Sequence, residues 1–138
     1  MKTIYIADST LRCNSGVSDK PLTFKEKLEI ARALDRMKVD IIEFPYIEQE
    51  KTDVLLARTI ISFLNHAKLS IPVGFDESSV DVAALAISEG KSARIQVRIP
   101  VSPVQMEYFC RRKPPMVLEL IAKLVKKAAE TGADVDFV

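Results

Sequence analysis

Short apolar runs alternate with longer amphipathic segments along the chain. Five runs rich in Ile, Val, Leu and Phe predict strands, near residues 3–8, 40–44, 69–75, 93–99 and 133–138. Between them, Leu, Ile and Ala recur at helical spacing and predict four helices, near residues 23–37, 53–66, 78–90 and 114–130. This strict alternation predicts an α/β fold with a parallel sheet and right-handed crossovers.

Residues typical of helix ends lie at the boundaries of the predicted helices. Thr23 and Glu26 predict a capping box, in which each side chain bonds the other residue's backbone N–H. The later boundaries carry similar signals: Ser78 and Asp81 as N-terminal caps, Gly90 as a stop, Pro114 and Pro115 as a start, and Gly132 as a stop. Lys123, Lys126 and Lys127 lie toward the end of the last helix, where the helix dipole favours cations.

Two parallel architectures fit this order of elements. One is a five-stranded doubly wound sheet, and the other is the first half of a (β/α)8 TIM barrel, a single partial domain that ends at strand five. The polarity of strand four distinguishes the two architectures. One face of this strand carries Arg94, Gln96 and Arg98, and the other carries Ile95, Val97 and Ile99. A central doubly wound strand is apolar on both faces, whereas a barrel strand can aim polar groups inward. We therefore favour the barrel half, with an edge strand of a doubly wound sheet as the alternative.

Composition and charge narrow the class of protein. The chain has 138 residues, a net charge of +1 and 48% hydrophobic residues, as expected for one soluble globular domain. A balanced charge gives no field that would attract nucleic acid or an anionic membrane. Asp8 interrupts the first apolar run too early for a signal peptide, and two cysteines are too few for a disulfide framework. We expect a cytoplasmic protein with no nucleic-acid or membrane partner.

Polar side chains follow the predicted strands at their C-terminal ends, where ligands bind in both architectures. They are Asp8, Arg12, Glu43, Asp76, Arg98 and Ser102. An arginine offers a planar fork to a carboxylate or enolate oxygen, and a nearby carboxylate can act as a base. The set therefore suits a small anionic substrate. Structural interpretations also exist, namely Asp8 as a turn former, Arg12 as a solvated loop residue, Glu43 as an arginine's structural partner and Asp76 as a helix cap.

Three other features have simpler interpretations. The segment FCRRKPP, at residues 109–115, places three cations just before a helix N-terminus, which suits a phosphate or carboxylate but equally a solvated loop. Cys110 is expected to be a small buried hydrophobe. His66, the single histidine, is expected on the side away from the strand C-termini, in a structural or exposed position.

Three stretches of the sequence resemble the DRE-TIM metallolyases, the family of isopropylmalate, homocitrate and citramalate synthases and hydroxymethylglutaryl-CoA lyase. The stretches are IADSTLR, LTFKEKLEIARALDRMKVDIIEF and IPVSPVQMEYFCRRKPPMVLELIAKLVKKAAETGADVDFV. They cover most of the chain, in the family's order and spacing. The overall likeness is to the isopropylmalate and homocitrate synthase branch, over the N-terminal half of its catalytic barrel.

The resemblance implies a barrel that holds a divalent metal ion. In the family the metal binds a 2-oxo acid, and the enolate of acetyl-CoA attacks its carbonyl group. The family's first strand reads D-T-T-L-R-D-G-E-Q, which Asp8, Thr10, Leu11 and Arg12 match. The resemblance assigns the stabilisation of developing negative charge to Arg12, and Glu43 matches an active-site position of the lyase branch. We predict Asp8, Arg12 and Glu43 as catalytic residues, and Arg98 and Ser102 as substrate-binding residues.

The metal motif departs from the family's pattern. The aspartate after the arginine is a metal ligand in the family, and Cys13 stands there in this chain. A hard ion such as Mg²⁺ loses an anionic oxygen at this position, whereas a thiolate can hold a softer ion such as Zn²⁺. The family's Gly-Glu-Gln and Ser-Asp-x-His are replaced by Asn14-Ser15-Gly16 and Ser102-Pro103-Val104-Gln105. The His-x-His pair of the family's metal site is absent from these 138 residues, so we assign no metal ligand and leave the cofactor undetermined.

Three hypotheses of function follow. The first is a homologue, fragment or split subunit of an acetyl-CoA-dependent 2-oxo acid acyltransferase, inactive alone, whose barrel a second copy or a complementary half-barrel chain completes. The second is a degenerate, non-catalytic relative with a binding or regulatory role, suggested by Cys13. The third is a flavodoxin-type binding domain whose loop from Asn14 to Ser18 faces an anion. The order of strands in the sheet separates the third from the other two.

Overall fold

The computed structural model describes residues 2–13, 20–88 and 92–138. The strands are β1 (Ala7–Asp8), β2 (Ile41–Glu43), β3 (Lys68–Val73), β4 (Ala93–Val97) and β5 (Asp134–Phe137). The helices are α1 (Phe24–Arg36), α2 (Glu50–Phe63), α3 (Glu77–Ile87), α4 (Pro103–Tyr108) and α5 (Pro114–Glu130). The predicted alternation of strands and helices is confirmed. The predicted helix stop at Gly90 and the loop from Asn14 to Ser18 lie outside the described residues.

The five strands form one parallel sheet in the order β1-β2-β3-β4-β5. Each strand pairs with its neighbour in the chain, as in a barrel, where the winding keeps one direction. A flavodoxin-type sheet has the order 2-1-3-4-5, because its chain reverses direction at the switch point. The doubly wound alternative is therefore wrong, and the described units have the arrangement of the first half of a (β/α)8 barrel.

The two faces of the sheet differ in polarity. One face is apolar and completely buried, and it carries Ile42, Leu69, Ile71, Ile95 and Val97. Buried helix residues belong to the same core, among them Ala31, Leu56, Ile60, Val80 and Leu124. The opposite face carries a row of polar residues in register across four strands: Glu43, Ser70, Arg94 and Asp134. The predicted polarity of strand four is confirmed, and it gives this sheet the polar inner face of a barrel.

Helix α1 begins at the predicted capping box. The Thr23 hydroxyl accepts the Glu26 N–H at 3.3 Å, and the Glu26 carboxylate accepts the Thr23 N–H at 2.7 Å. The backbone N–H of Thr23 and its hydroxyl both donate to the Glu26 carboxylate, and these two hydrogen bonds lower the pKa of the Glu26 carboxyl. The first orphan donors of the helix are thus satisfied by its own sequence.

The other end of α1 holds the segment that leads into β3. The Asp35 carboxylate accepts backbone N–H groups of Asn65, His66 and Ala67 at 3.1, 2.9 and 2.8 Å. Burial acts to raise the pKa of Asp35, but these three donors and the nearby His66 together lower it. The His66 side chain is exposed, with Nε2 3.6 Å from Asp40 Oδ1. As predicted, it lies just before β3, away from the strand C-termini.

The sequence prediction was wrong about the loop after β4, which contains α4 as a fifth helix. Ser102 caps this helix, and Pro103 occupies its first turn. Six residues are fewer than two turns, so they leave no helical period of apolar positions for a sequence to show.

Other boundaries also differ from the prediction, among them the starts of α3 and β1. Helix α3 begins at Glu77 with Asp76 before it, so Ser78 and Asp81 lie inside the helix. The Ser78 hydroxyl instead donates to the Asp76 carboxylate. The first strand is two residues long, because β2 begins only at Ile41 and offers the earlier residues 3–5 no partner within the described ranges.

Helix α5 is tied to α3 by two ion pairs. Lys123 Nζ lies 2.5 Å from the Glu77 carboxylate, and Lys127 Nζ lies 2.7 Å from Asp81. These lysines therefore connect two helices in addition to facing the helix dipole. Gly132 follows the helix at a φ of 76°, which confirms it as the stop. None of the described helices is long and apolar enough to cross a membrane.

Candidate functional site

The turn after β1 carries the first candidate side chains. Asp8 Oδ1 accepts the Thr10 N–H at 2.9 Å, and the Cys13 N–H donates to the Ser9 carbonyl at 2.8 Å. Leu11 is only 2% exposed and belongs to the core. The stretch D-S-T-L-R therefore folds as a compact turn, in which a short polar side chain bonds the backbone and a leucine fixes the turn to the sheet.

Arg12 and Glu43 form an ion pair at the ends of neighbouring strands. Arg12 Nε lies 2.6 Å from Glu43 Oε2, within hydrogen-bonding distance. The two side chains are 28% and 17% exposed, so the pair is partly shielded from solvent and still reachable by a ligand. Within the described residues the guanidinium has no second hydrogen-bond partner. The terminal N–H groups of an arginine can hold an anion through two parallel hydrogen bonds.

A cleft of about 550 Å³ lies beside this turn. Its lining includes Arg12, Lys27, Tyr46, Thr52 and Asp53. Lys27, on the first turn of α1, was not among the predicted site residues. A lysine on an amphipathic helix gives no sequence signal of its own, since most such lysines are solvated. The cleft is large enough for a small polar ligand.

The other predicted site residues are not hydrogen-bonded to this pair within the described ranges. The Asp8 carboxylate is engaged in the turn, and Asp76 precedes α3 and accepts the Ser78 hydroxyl. Ser102 accepts the Gln105 N–H at 3.2 Å and caps α4. Arg98 follows β4 and is half-buried. Substrate binding by Arg98 and Ser102 stays a prediction, as does catalysis by Asp8.

An ion-pair network on the inner face of the sheet was missed by the sequence prediction. Lys68 Nζ and an Arg94 Nη lie 2.9 and 3.0 Å from the same Asp134 oxygen, and Arg94 also lies 3.7 Å from Asp136. Strand three was predicted to begin at residue 69, which left Lys68 outside it. The alternation of Lys68 with Ser70 was the available signal, because it matches the polar alternation of strand four.

A profile of one protein family matches the chain over residues 3–138, almost its entire length, under the description HMGL-like. The chain belongs to the HMGL-like family. Its (β/α) units are therefore the N-terminal half of a TIM barrel, and the resemblance to the DRE-TIM enzymes is confirmed at the level of the family.

Relatives of this HMGL-like chain include proteins named 2-isopropylmalate synthase. Those of Thiobacillus denitrificans and Aquifex aeolicus are each 34% identical to it over 134 residues, and that of Pyrococcus abyssi is 30% identical over 137 residues. The alignments cover 97%, 97% and 99% of this chain, but 26%, 26% and 28% of the relatives. The chain thus spans about a quarter of the length of the relatives that it matches.

The described residues of this HMGL-like chain do not by themselves fit a divalent metal ion. Cys13, at the ligand position of the family, is exposed. Nowhere in residues 2–13, 20–88 and 92–138 do three or more His, Cys, Asp or Glu side chains group together as a metal site requires. Among the predicted acids, Glu43 has one oxygen engaged by Arg12, and Asp8 has one oxygen engaged by the Thr10 N–H. Ligands from outside these residues would be needed to complete such a site.

The inner-face network gives a testable dependence of stability on pH. The hydrogen bond from Lys68 lowers the pKa of Asp134, burial opposes this, and the charge of Arg94 adds to the lowering. A carboxyl group whose pKa is lowered in the folded state stabilises the fold at pH values above its ordinary pKa, about 4. That contribution is lost as the pH falls through the pKa of the group in the folded state. We expect Asp134→Asn to lower Tm by about 2–4 °C at pH 7, because partly exposed pairs contribute little.

The comparison of thermal denaturation at pH 7 and pH 3 checks this expectation. The Tm difference between the wild-type chain and Asp134→Asn should shrink at pH 3. Glu119→Gln is the matched control, since Glu119 is exposed on α5 and has no ion pair within the described ranges. A difference that stays constant between the two pH values would contradict the role of the Asp134 charge.

Proposed function

We propose that this HMGL-like chain is a homologue, fragment or split subunit of an acetyl-CoA-dependent 2-oxo acid acyltransferase. The observation that supports it best is the contact of 2.6 Å between Arg12 and Glu43 at the mouth of the barrel half. The relatives named 2-isopropylmalate synthase support the same type of reaction. In that reaction the methyl carbon of acetyl-CoA, after losing a proton to a base, bonds to the ketone carbon. Water then cleaves the thioester and releases the free thiol.

The chain's own residues contribute orientation and charge to this reaction. The guanidinium of Arg12 stabilises negative charge that develops on a carbonyl oxygen, which is the largest single effect in many such sites. Glu43 holds Arg12 through Nε, so it acts as a positioning residue for the terminal N–H groups. Asp8 acts through the backbone of the turn that places Arg12. We assign Arg98 and Ser102 to binding of the substrate carboxylate, since both follow β4 at the same end of the sheet.

This function requires a second half of the barrel. Within the described residues, β1 and β5 each pair with a strand on one side only, and an unpaired strand edge is a site for pairing with another segment. A complementary half-barrel or a second copy of this chain would cover both edges and supply further ligands. We include a cytoplasmic location in the proposal, because Cys13 and Cys110 are both free thiols.

A grafted enzyme tests the proposal. Residues 1–138 replace the aligned segment of the Aquifex aeolicus protein, and release of thiol from acetyl-CoA is measured with a panel of 2-oxo acids. We expect the graft to release thiol with at least one 2-oxo acid, whereas the isolated 138-residue chain should not. A folded graft that is inactive with every 2-oxo acid would favour the alternative function, a non-catalytic relative with a binding or regulatory role, which the exposed Cys13 supports.

The change Cys13→Asp in the graft tests the metal position separately. A carboxylate supplies the hard anionic oxygen that Mg²⁺ or Mn²⁺ prefers. We expect tighter Mn²⁺ binding, measured by electron paramagnetic resonance, by at least the roughly tenfold that even an outer partner of a metal ligand commonly contributes. Cys13→Asn is the control of similar size without a charge. Equal Mn²⁺ affinity in the graft and both variants would show that residue 13 is not a ligand.

A further inference from the structure

The connection between α4 and α5 presents exposed aromatic rings beside three consecutive cations. Tyr108 and Phe109 are 73% and 77% exposed. Arg111, Arg112 and Lys113 follow and are also exposed. We call these five residues the aromatic-basic loop. Aromatic residues and arginine are enriched in protein–protein interfaces, and an exposed apolar patch rimmed by polar residues marks such an interface.

Further apolar side chains flank the aromatic-basic loop on both sides in the sequence. Those that are more than half exposed are Val101, Val104, Met116 and Leu118. Single exposed apolar residues are ordinary on a protein surface, whereas a group of six between residues 101 and 118 is not. The connection after β4 therefore has the composition of a surface that another protein covers.

The cations of this loop have no acidic partners within the described residues. Other cations of the chain are engaged, as Lys68 and Lys127 are by aspartates. The three cations of the loop line a cleft of about 490 Å³, in which Glu107 is the one acid and is joined to them by no ion pair. The loop therefore presents a net positive charge to the partner that covers it.

The N-terminus of α5 contributes no free backbone donor to this cleft between Pro114 and Val117. Pro114 and Pro115 occupy the first two positions and lack an N–H group. The next two N–H groups, of Met116 and Val117, donate to the Lys113 carbonyl at 3.0 and 3.2 Å. The interpretation of FCRRKPP as a helix-terminus anion site is therefore wrong. An acidic partner of this loop is bound by the side chains of the arginines and the lysine.

A second cleft on the same rim of the sheet carries the opposite charge. It measures about 310 Å³ and is lined by residues of the connections that follow β2 and β3. The charged residues that line it are Glu48, Glu50 and Asp76, with no cation among its described lining residues. Tyr46 also lines it and is 45% exposed, so an aromatic ring lies beside the acids here too. We call these four residues the acidic rim.

We propose that the aromatic-basic loop of one copy of this chain docks on the acidic rim of a second copy, and the reverse, in a twofold dimer. Complementary charge identifies the partner, because the same molecule carries a positive surface and a negative one, each with exposed aromatic rings. A twofold axis places each loop on the acidic rim of the other copy, so the same contact forms twice and the assembly closes as a dimer. Each arginine of the loop can bind a carboxylate through two parallel hydrogen bonds.

The two surfaces are neighbours in one chain, but they are not paired there. Both belong to connections that follow strand C-termini, and no ion pair joins them within the described residues. A second copy would neutralise both charges at once. The contact uses neither free edge of the sheet, at β1 or at β5. The inference therefore goes beyond the proposed function and does not depend on it.

Analytical ultracentrifugation of the 138-residue chain tests the proposal without any need for activity. We expect a reversible monomer–dimer equilibrium whose dissociation constant rises with salt concentration, because salt screens the attraction between exposed charges. The triple change Arg111→Glu, Arg112→Glu and Lys113→Glu should raise the dissociation constant about tenfold or more, since like charges then meet across the interface. The double change Glu48→Lys and Glu50→Lys should have the same effect from the other side of the contact.

A mixture of the two charge-reversed variants gives the most specific result. Each variant alone carries two surfaces of like charge, whereas in the mixed dimer both contacts again join opposite charges. We expect the mixture to form a heterodimer with a dissociation constant close to that of the wild-type dimer. Loss of folding in either variant could not produce this recovery, so the result separates a lost contact from a lost fold.

Phe109→Ala tests the apolar part of the contact. We expect it to weaken the dimer about tenfold, as removal of an aromatic anchor at the centre of an interface commonly does. The ring is 77% exposed in the single chain, so the change should leave the Tm of the monomer unaltered. Lys126→Glu is the matched control for charge reversal, since Lys126 is exposed on α5 with no ion pair in the described part of the chain. It should leave the dissociation constant unchanged.

Three results would overturn the proposal. The first is a chain that stays monomeric at millimolar concentration. The second is a dimer that both sets of charge reversals leave intact, which would place the contact elsewhere, for instance at the free strand edges. The third is a mixture of the two variants that recovers no heterodimer, which would show that the loop and the acidic rim do not meet.

Discussion

Arg12→Lys in the grafted enzyme is expected to lower kcat for thiol release by about 10²-fold or more, the range for loss of a preorganised donor. Lysine keeps the positive charge, but its donors all sit on one nitrogen. It therefore cannot hold Glu43 through one nitrogen while two others present a rigid planar fork to a substrate oxygen. The contact of 2.6 Å between Arg12 Nε and Glu43 is what fixes that fork. Steady-state kinetics with acetyl-CoA and the best 2-oxo acid give kcat and KM separately.

Glu43→Gln tests whether Glu43 positions Arg12 or takes the proton. If Glu43 only positions Arg12, Glu43→Gln should lower the activity by a smaller factor than Arg12→Lys and leave the pH profile of the activity unchanged. If Glu43 is the general base, Glu43→Gln should remove the acidic limb of that profile. If Arg12→Lys retains full kcat, the ion pair has only a structural role, and the assignment of Arg12 to catalysis is wrong.

Ile71→Ala is expected to lower the free energy of unfolding by about 2–5 kcal/mol, the range for removing a buried branched side chain. Ile71 is completely buried in β3, the central strand, on the face that packs against the helices. The preceding residue, Ser70, lies on the opposite face and is 1% exposed. Its hydroxyl has no hydrogen-bond partner within the described residues.

Ser70→Ala is the matched comparison, one position away on the same strand. Removing a buried hydroxyl that has no partner removes a desolvation cost, so the change should be neutral or stabilising by up to about 1 kcal/mol. Urea denaturation of the wild-type chain and both variants gives the two values. Similar losses for Ile71→Ala and Ser70→Ala would contradict the division of the sheet into an apolar outer face and a polar inner face.

The inner face of the sheet shows which features the pattern of polar and apolar residues predicted and which it did not. Arg94 and Gln96 alternate with Ile95 and Val97, and that alternation alone predicted a strand with one polar face. The pairing of Arg94 and Lys68 with one Asp134 oxygen was not predictable. These residues lie 26 to 66 positions apart in the chain. Their contact depends on the register of β3, β4 and β5, which sequence alternation leaves undetermined.

The candidate site also has features that the sequence predicted and features that it did not. The family motif at residues 8–12 and Glu43 at the end of a predicted strand were sufficient to name Arg12 and Glu43 as candidates. Their contact followed only from the adjacency of β1 and β2. Asp8 looked equally suited to catalysis from its residue type, but its carboxylate accepts the Thr10 N–H in the turn. Local backbone geometry, rather than residue type, decides which of these carboxylates meets the arginine.

The sequence by itself determined the succession of strands and helices, the start of α1, the polarity of strand four and the family. These depend on residues close together in the chain, through periodicity, capping and motif spacing. Tertiary structure decided the order of the strands, the Arg12–Glu43 contact and the Lys68–Asp134–Arg94 network. Each of these depends on which distant segments become neighbours. That choice is fixed by packing of the whole sheet against its helices, so no local pattern records it.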